Sequence, residues 1–173
     1  RHPWRWVGVA VVLVMVATLI QGFLTNPRYQ WGVVGEYLFS GAVLAGLGRT
    51  LLLTVIAMTI AIILGVVLAL MRLSQNAVLR VVAGGFVWLF RGTPLLVQLL
   101  FWNFISALFP KISIGIPFTG IEFISLDANT VIPTFVAAIL GLALYESAYM
   151  SEIVRAGILS VDRGQFEAAQ SIG

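Results

Sequence analysis

The sequence lacks the residues on which many catalytic and metal sites depend. Among 173 residues there is no cysteine, the only histidine is His2, and the only lysine is Lys111. Without cysteine there is no disulfide, thiolate metal site or cysteine nucleophile, and a single histidine near the start argues against a catalytic triad. A phosphate-binding P-loop requires Gly-Lys followed by Ser or Thr, whereas Lys111 follows Pro110. We therefore expect no enzyme, no cofactor and no metal site.

Charge is also scarce. Charged residues make up 10% of the chain and hydrophobic residues 60%, whereas a soluble domain carries about 25% charged residues. The net charge of +3 is small and the basic residues are scattered, so nucleic acid is not an expected partner. This composition predicts an all-α, polytopic membrane protein with the lipid bilayer as its solvent.

Three apolar runs are long enough to cross the ~30 Å hydrocarbon core, which takes about 20 helical residues. They are residues 6–24, 50–70 and 131–150, and only the last contains a charge, Glu146. A signal peptide is the alternative for the first run. We favour a retained helix, because its apolar core is long and Thr25-Asn26-Pro27 offers no small-residue cleavage site.

A fourth apolar run, 81–109, is interrupted by Arg91-Gly92-Thr93-Pro94. Thr93 is a suitable N-cap and Pro94 suits the first helical position, which predicts a helix over 94–109. Arg91 at mid-bilayer would cost roughly 2.5–3.5 kcal/mol. We therefore predict that residues 78–90 form a helix that lies at or enters the membrane surface and that the main crossing follows it.

Arginine and lysine in the short loops predict the orientation. With the N-terminus inside, three basic residues lie outside (Arg28, Arg49 and Lys111) and seven lie inside (Arg1, Arg5, Arg72, Arg80, Arg91, Arg155 and Arg163). We expect both the N-terminus and the 151–173 loop to be cytoplasmic. Loops 25–49 and 110–130 would then be extracytoplasmic.

Small residues recur every fourth position in the second run, at Ala57, Ala61, Gly65 and Ala69, and a shorter pattern, Ala137 and Gly141, lies in the third. Such stripes allow helices to approach closely in lipid. The stripe predicts a contact within this chain, with a contact to a second subunit as the alternative.

Glu146 is the one acid inside a predicted span. Ionisable groups at membrane depth usually face a cavity or a partner, so Glu146 is a candidate for a translocation path, with Gln98 and Asn103 as possible companions. The alternatives are an ion pair of Glu146 with an arginine near the interface, and packing or hydrogen-bonding roles for the two amides.

The last residues predict a short amphipathic helix directly after a span. The span helix should continue to about Leu159, and a second helix should run over Arg163–Ile172, with Asp162 as N-cap and Gln165 in the third helical position. Gly173 suits a left-handed stop. Phe166 and Ala169 lie on one side of this helix and Glu167 on another, while Ala168 and Ala169 keep its surface thin.

Two motifs carry a resemblance. Glu167, Ala168, Ala169 and Gly173 match the Glu-Ala-Ala-x-x-x-Gly loop of ATP-binding-cassette (ABC) importer permeases. The second motif is Phe90-Arg91-Gly92-Thr93-Pro94-Leu95-Leu96-Val97-Gln98, together with Glu152-Ile153-Val154-Arg155-Ala156-Gly157. Over residues 48–173 the chain thus resembles the permeases of the polar amino acid uptake family of ABC importers.

The resemblance implies a type I ABC importer permease-like helix bundle, of which this chain is expected to be a fragment. It implies a second permease subunit, identical or homologous, cytoplasmic ABC ATPase subunits and an extracytoplasmic substrate-binding protein in a bacterial cell membrane. The loop that carries Asp162, Gln165, Phe166, Glu167, Ala168, Ala169 and Gly173 would dock on the ATPase.

The family core has three spans before this loop, and four are predicted here. Residues 1–24 are therefore expected to be an added N-terminal helix, 25–47 an extracytoplasmic linker and 48–173 the permease transmembrane domain. An ATPase-independent secondary transporter or channel is the main alternative function, and a membrane scaffold that does not transport is the other.

Overall fold

The computed structural model describes residues 3–116 and 119–172, which fall into two compact units that divide between Arg49 and Thr50. Among these residues three helices are long and apolar enough to cross a membrane, in the segments Trp4–Thr25, Gly41–Leu73 and Thr134–Leu159. Each contains or largely overlaps one of the three predicted spans. These helices confirm a polytopic helical fold class. Each helix pairs its backbone groups within its own segment, as a lipid environment requires.

In the first unit, helix α1 (Pro3–Thr25) is followed by a 3-10 turn (Pro27–Tyr29) and helix α2 (Trp31–Leu38). Asn26 caps the turn by accepting a hydrogen bond from the Arg28 N–H. Beyond the turn, Trp31 Nε1 donates to the Phe23 carbonyl at 3.0 Å, and its ring packs against those of Phe23 and Tyr29. The segment expected to be a linker is therefore largely helical.

Helix α3 (Gly41–Leu73) contains the small-residue stripe of the second predicted span. Ala57, Ala61, Gly65 and Ala69 are all buried. A Cβ added to Gly65 would stand 2.6 Å from Met150 Cβ, so only glycine lets the two backbones come this close. The contact is within this chain, as the sequence predicted.

The 78–90 helix is present as α4 (Ala77–Gly92), and α5 (Leu95–Asn103) follows it at an angle of 99°. The predicted start of the second helix is wrong by one residue. Pro94 is the extended N-cap, and Thr93 caps α4 instead, with its hydroxyl donating to the Leu89 carbonyl. Proline forces the preceding residue out of the helical region, so the Thr93 hydroxyl faces backward along the chain rather than forward.

The predicted continuous helix over 94–109 is also wrong. It is interrupted at Phe104, after which α6 (Ile105–Leu108) forms a single turn. An antiparallel hairpin of β1 (Lys111–Ile116) and β2 (Ile121–Asp127) then follows, with a bulge between Ile114 and Gly115. The all-α expectation missed this hairpin.

The short helix α7 (Ala128–Val131) links the hairpin to α8 (Thr134–Leu159), the central helix of the second unit. Along α8 the buried residues are all small: Ala137, Gly141, Ala143, Ser147, Ala148 and Ser151. Gly141 lies against Leu99 of α5, where an added Cβ would stand 2.7 Å from Leu99 Cδ2. Helix α9 (Arg163–Ile172) ends the described chain, with the bounds that the sequence predicted.

Candidate functional site

Helix α9 is separated from α8 by three residues, Ser160, Val161 and Asp162. Asp162 is its N-cap as predicted, because Asp162 Oδ1 accepts a hydrogen bond from the Gly164 N–H at 2.8 Å. The Asp162 carbonyl accepts a further hydrogen bond from the Gln165 N–H at 3.1 Å. These bonds fix where the helix begins.

The described side chains of α9 are turned to the surroundings. Gln165, Glu167, Ala168 and Gln170 are all exposed. The side chains of Phe166 and Ala169 lie outside the described part of the chain, and so does Gly173. The polar and small positions of the predicted motif therefore form a free surface on the described side of this helix.

The last two turns of α8 carry residues 152–157, the later part of the second predicted motif. Ser160 closes the helix, with its N–H and its hydroxyl both donating to the Gly157 carbonyl. Gly157 itself is exposed, and nothing lies within 4 Å of an added Cβ. Glu152 and Arg155 face the same side of α8, as their spacing of three predicted. Arg155 Nε donates a hydrogen bond to Glu152 Oε2 at 3.2 Å.

Glu152 is the centre of an arginine cluster that joins three helices. Its Oε1 accepts hydrogen bonds from Arg72 at the end of α3 and from Arg91 Nη1 at the end of α4, the latter at 3.2 Å. The Glu152 side chain is 26% exposed and that of Arg72 22%. The Arg72–Glu152 bond is partly shielded from water, and charge-assisted bonds of that kind typically contribute ~1.5–3 kcal/mol. The more exposed Arg91–Glu152 contact contributes less. The cluster therefore ties the end of α8 to α3 and α4.

Arg91 has a second contact, since its guanidinium lies 5.1 Å from the centroid of the Tyr149 ring. Such a cation–π contact holds the planar group over the ring. The sequence marked Arg91, Glu152 and Arg155 as motif residues but used Arg72 only to predict orientation. The signal that could have revealed its role is a lone basic residue in the last turn of a long apolar helix.

Gln98 lies at the corner between α4 and α5 and is buried, with 7% of its surface exposed. Its Nε2 lies within hydrogen-bond distance of the Phe90 carbonyl, the Thr93 carbonyl and Thr93 Oγ1, at 2.8–3.1 Å. It thereby caps the C-terminal end of α4. An apolar pocket of about 290 Å³ beside it is lined by Thr93, Gln98, Leu89, Phe90, Val97, Phe101 and Trp102.

The other candidates for a translocation path lie apart from this pocket's lining. Glu146 is half-buried on α8, and among residues 3–116 and 119–172 no ion pair of Glu146 is seen. Asn103 is the exposed last residue of α5. Gly92 is the last residue of α4, beside Arg91. The structure thus brings the Arg91 and Glu152 motifs together but does not join Glu146 to Gln98.

Known proteins with similar sequences are transport permeases. The chain is 41% identical over all 173 residues to the arginine transport system permease protein ArgU of Corynebacterium glutamicum, covering 53% of that protein. It is 41% identical over 130 residues to the nopaline transport system permease protein NocM of Agrobacterium fabrum, which is 75% of this chain and 50% of that one. No protein family model matches the chain.

A solved structure agrees with these relatives. The crystal structure of an amino acid ABC transporter with histidines matches 72% of this chain and 49% of its own, at 40% identity and a TM-score of 0.56. The chain spans about half the length of the curated relatives it matches. These relatives do not favour the ATPase-independent alternative. The curated homologues of this chain are thus permeases of amino acid ABC transporters, in agreement with its helical bundle and its two motifs.

Proposed function

We propose that the chain is part of the membrane-spanning subunit of an ATP-driven importer of polar amino acids. A separate cytoplasmic ATPase would dock on α9. The observation that carries the proposal is the placement of α9: a capped, exposed helix that bears Glu167 and Ala168 follows a membrane-length helix after only three residues. A separate ATPase is supported by these 173 residues, which hold no P-loop lysine.

The contacts around Glu152 support a route for the motion. Helix α8 runs unbroken for 26 residues, or about 39 Å at a rise of ~1.5 Å. A displacement of α9 would reach the last turn of α8 and pass through Glu152 to Arg72 and Arg91, and so to α3 and α4. ATP-driven closure of two ATPase subunits would move two such permease subunits as rigid bodies and reorient the spans in alternating access.

The remaining partners and sites follow from the same proposal. The N-terminus and the 151–173 loop would be cytoplasmic, and the β1–β2 hairpin would face an extracytoplasmic substrate-binding protein. Glu146 is our candidate for a group on the translocation path. Residues 1–24 would be an N-terminal helix added to the permease domain at 48–173, with 25–47 between them.

Cysteine crosslinking tests the docking of the ATPase, and the 173 residues offer no competing thiol. Gln170→Cys in the full-length permease should crosslink to the ATPase that co-purifies with it. Glu122→Cys, an exposed position on the hairpin, is the matched control and should not. Absence of a crosslink from Gln165→Cys, Glu167→Cys and Gln170→Cys alike would contradict the proposal.

A further inference from the structure

An open cleft of about 410 Å³ lies beside the arginine cluster, between the ends of α3 and α4 and the last turns of α8. Its lining includes Arg72, Gly84, Trp88, Arg91, Tyr149 and Glu152. The cleft is open along α4 because Gly84 and Gly92 have no side chains that could fill it. Nothing lies within 4 Å of a Cβ added at either position. The cleft is therefore a space with guanidinium groups on its wall.

The cluster at this cleft has an excess of positive charge. Three arginines, Arg72, Arg91 and Arg155, face the single carboxylate of Glu152, which leaves a formal charge of about +2. The C-terminal ends of α3 and α4 offset this by at most about half a charge each. Within the described part of the chain no second acid pairs with these arginines.

Donors also remain available. A guanidinium has five N–H groups. Arg72 and Arg91 each place Nη1 on Glu152 Oε1, and these are the hydrogen bonds seen for them within residues 3–116 and 119–172. The Arg91 side chain is 42% exposed and is held over the Tyr149 ring. The cleft therefore presents fixed, positively charged donors of the kind that bind phosphate oxygens in a bidentate way.

The edge of the cleft is apolar and exposed. Trp88, one turn before Arg91 on α4, is 77% exposed, and Val81 two turns earlier is 73% exposed. Tryptophan is enriched at the level of lipid headgroups, and basic pockets between helices at the membrane face bind anionic headgroups. An apolar edge beside a cationic cleft suits a ligand with an acyl part and a phosphate part.

We propose that this cleft binds the phosphate headgroup of an anionic phospholipid, with Arg72 and Arg91 on the phosphate oxygens and the acyl chains along the Trp88 side of α4. Glu152 holds the two guanidiniums in place and limits the affinity through its own charge. The site does not depend on docking at α9, so its failure would leave the proposed coupling untouched.

Native mass spectrometry of the full-length permease, purified as its intact assembly, tests the site by titration with phosphatidylglycerol. Arg91→Gln should weaken the tightest binding event about fivefold, the effect expected for one arginine near an anionic lipid. Arg80→Gln is the matched control, since Arg80 lies on the same helix, is exposed and is absent from the cleft lining. It should leave that event unchanged.

A second variant separates binding from folding. Glu152→Gln removes the carboxylate that competes with the lipid phosphate for the arginines, and should strengthen phosphatidylglycerol binding severalfold. A variant that failed to fold around the cluster would weaken this binding instead. Equal binding of phosphatidylcholine, or equal affinity of Arg91→Gln and the unaltered protein, would overturn the proposal. Full displacement of the lipid by inorganic phosphate would assign the cleft to a soluble phosphate and would also overturn it.

Discussion

At the scale of single residues, each end of α4 is capped by an amide side chain. One amide accepts a hydrogen bond from the helix and the other donates to it. At its start, Asn76 Oδ1 accepts a hydrogen bond from the Val78 N–H at 2.9 Å. At its end, Gln98 Nε2 donates to the Phe90 carbonyl at 2.9 Å and to Thr93. The start of a helix has free N–H groups and its end has free carbonyls, so each end requires a different half of the amide.

This difference predicts opposite outcomes for one chemical change. Gln98→Glu replaces a buried donor by an acceptor that faces two carbonyls, and should lower the free energy of unfolding by about 1–3 kcal/mol or more. Asn76→Asp keeps the accepting oxygen at an N-cap, where the two residues are nearly equivalent, and should change stability by less than about 0.5 kcal/mol. Thermal unfolding of the full-length permease in detergent measures both.

Equal stability of the two variants would show that the Gln98 hydrogen bonds contribute nothing to the free energy of unfolding.

The sequence marked Gln98 as a motif residue and as a possible path residue, but not as the cap of a helix that ends six residues earlier. That role depends on the 99° bend between α4 and α5, which returns the side chain to the preceding helix. The spacing of residues along the chain does not predict that angle.

At the scale of elements, the second unit is held together by close helix approaches. Gly65 of α3 lies against Met150 and the Ser147 carbonyl of α8, and Gly141 of α8 lies against Leu99 of α5. Lipid supplies no hydrophobic drive between helices, so close packing of small residues must supply the contact energy. Both positions were visible in the sequence as members of small-residue stripes.

A pair of glycine variants on α3 tests this packing. Gly65→Ala places a Cβ 2.6 Å from Met150 Cβ and 3.2 Å from the Ser147 carbonyl, and should destabilise the protein by about 1–3 kcal/mol. Gly48→Ala has nothing within 4 Å of the new atom and should be neutral or stabilising by up to about 1 kcal/mol. Both can be followed by unfolding in mixed micelles.

The same sign of effect at Gly65 and Gly48 would mean that helix propensity, and not the approach of α3 to α8, dominates.

The β1–β2 hairpin is one of the elements that sequence reasoning missed. Its signal was present, since Ile112, Ile114 and Ile116 alternate with small or polar residues before the turn. We instead expected residues 110–130 to be an extracytoplasmic loop, without strands.

At the scale of the whole molecule, we propose separate roles for the packed helical bundle and for the exposed helix α9. The described side chains of α9 are exposed, whereas those facing the interior of α8 are small and buried. A substitution on α9 should therefore affect association with a partner without affecting the bundle. This separation allows stability and coupling to be measured independently.

Ala168→Trp adds a large side chain to the exposed surface of α9. It should leave thermal stability unchanged but reduce the co-purifying ATPase about tenfold, since a misfit of roughly 1.4 kcal/mol changes affinity by that factor. Thr119→Trp in the hairpin turn is the control and should retain the ATPase. A drop in stability for Ala168→Trp would show that α9 packs on the bundle in the whole protein.

The sequence by itself determined the membrane-length helices, the helical stripes, the bounds of α9 and its Asp162 cap. Each depends on composition or on spacings of three or four residues, which helix geometry converts directly into position. Insertion of backbone into lipid also leaves few alternatives to the helix, so long apolar runs are decisive evidence.

Only the tertiary structure decided which side chains meet across elements. Arg72 and Glu152 are 80 positions apart and Arg91 and Glu152 are 61 apart, yet they form one cluster. The 99° angle of the bend at Thr93-Pro94 and the break at Phe104 were likewise not predicted by the local sequence pattern. Long-range contacts depend on the angles at which helices cross, and those angles are set by all the packing surfaces together rather than by any local pattern.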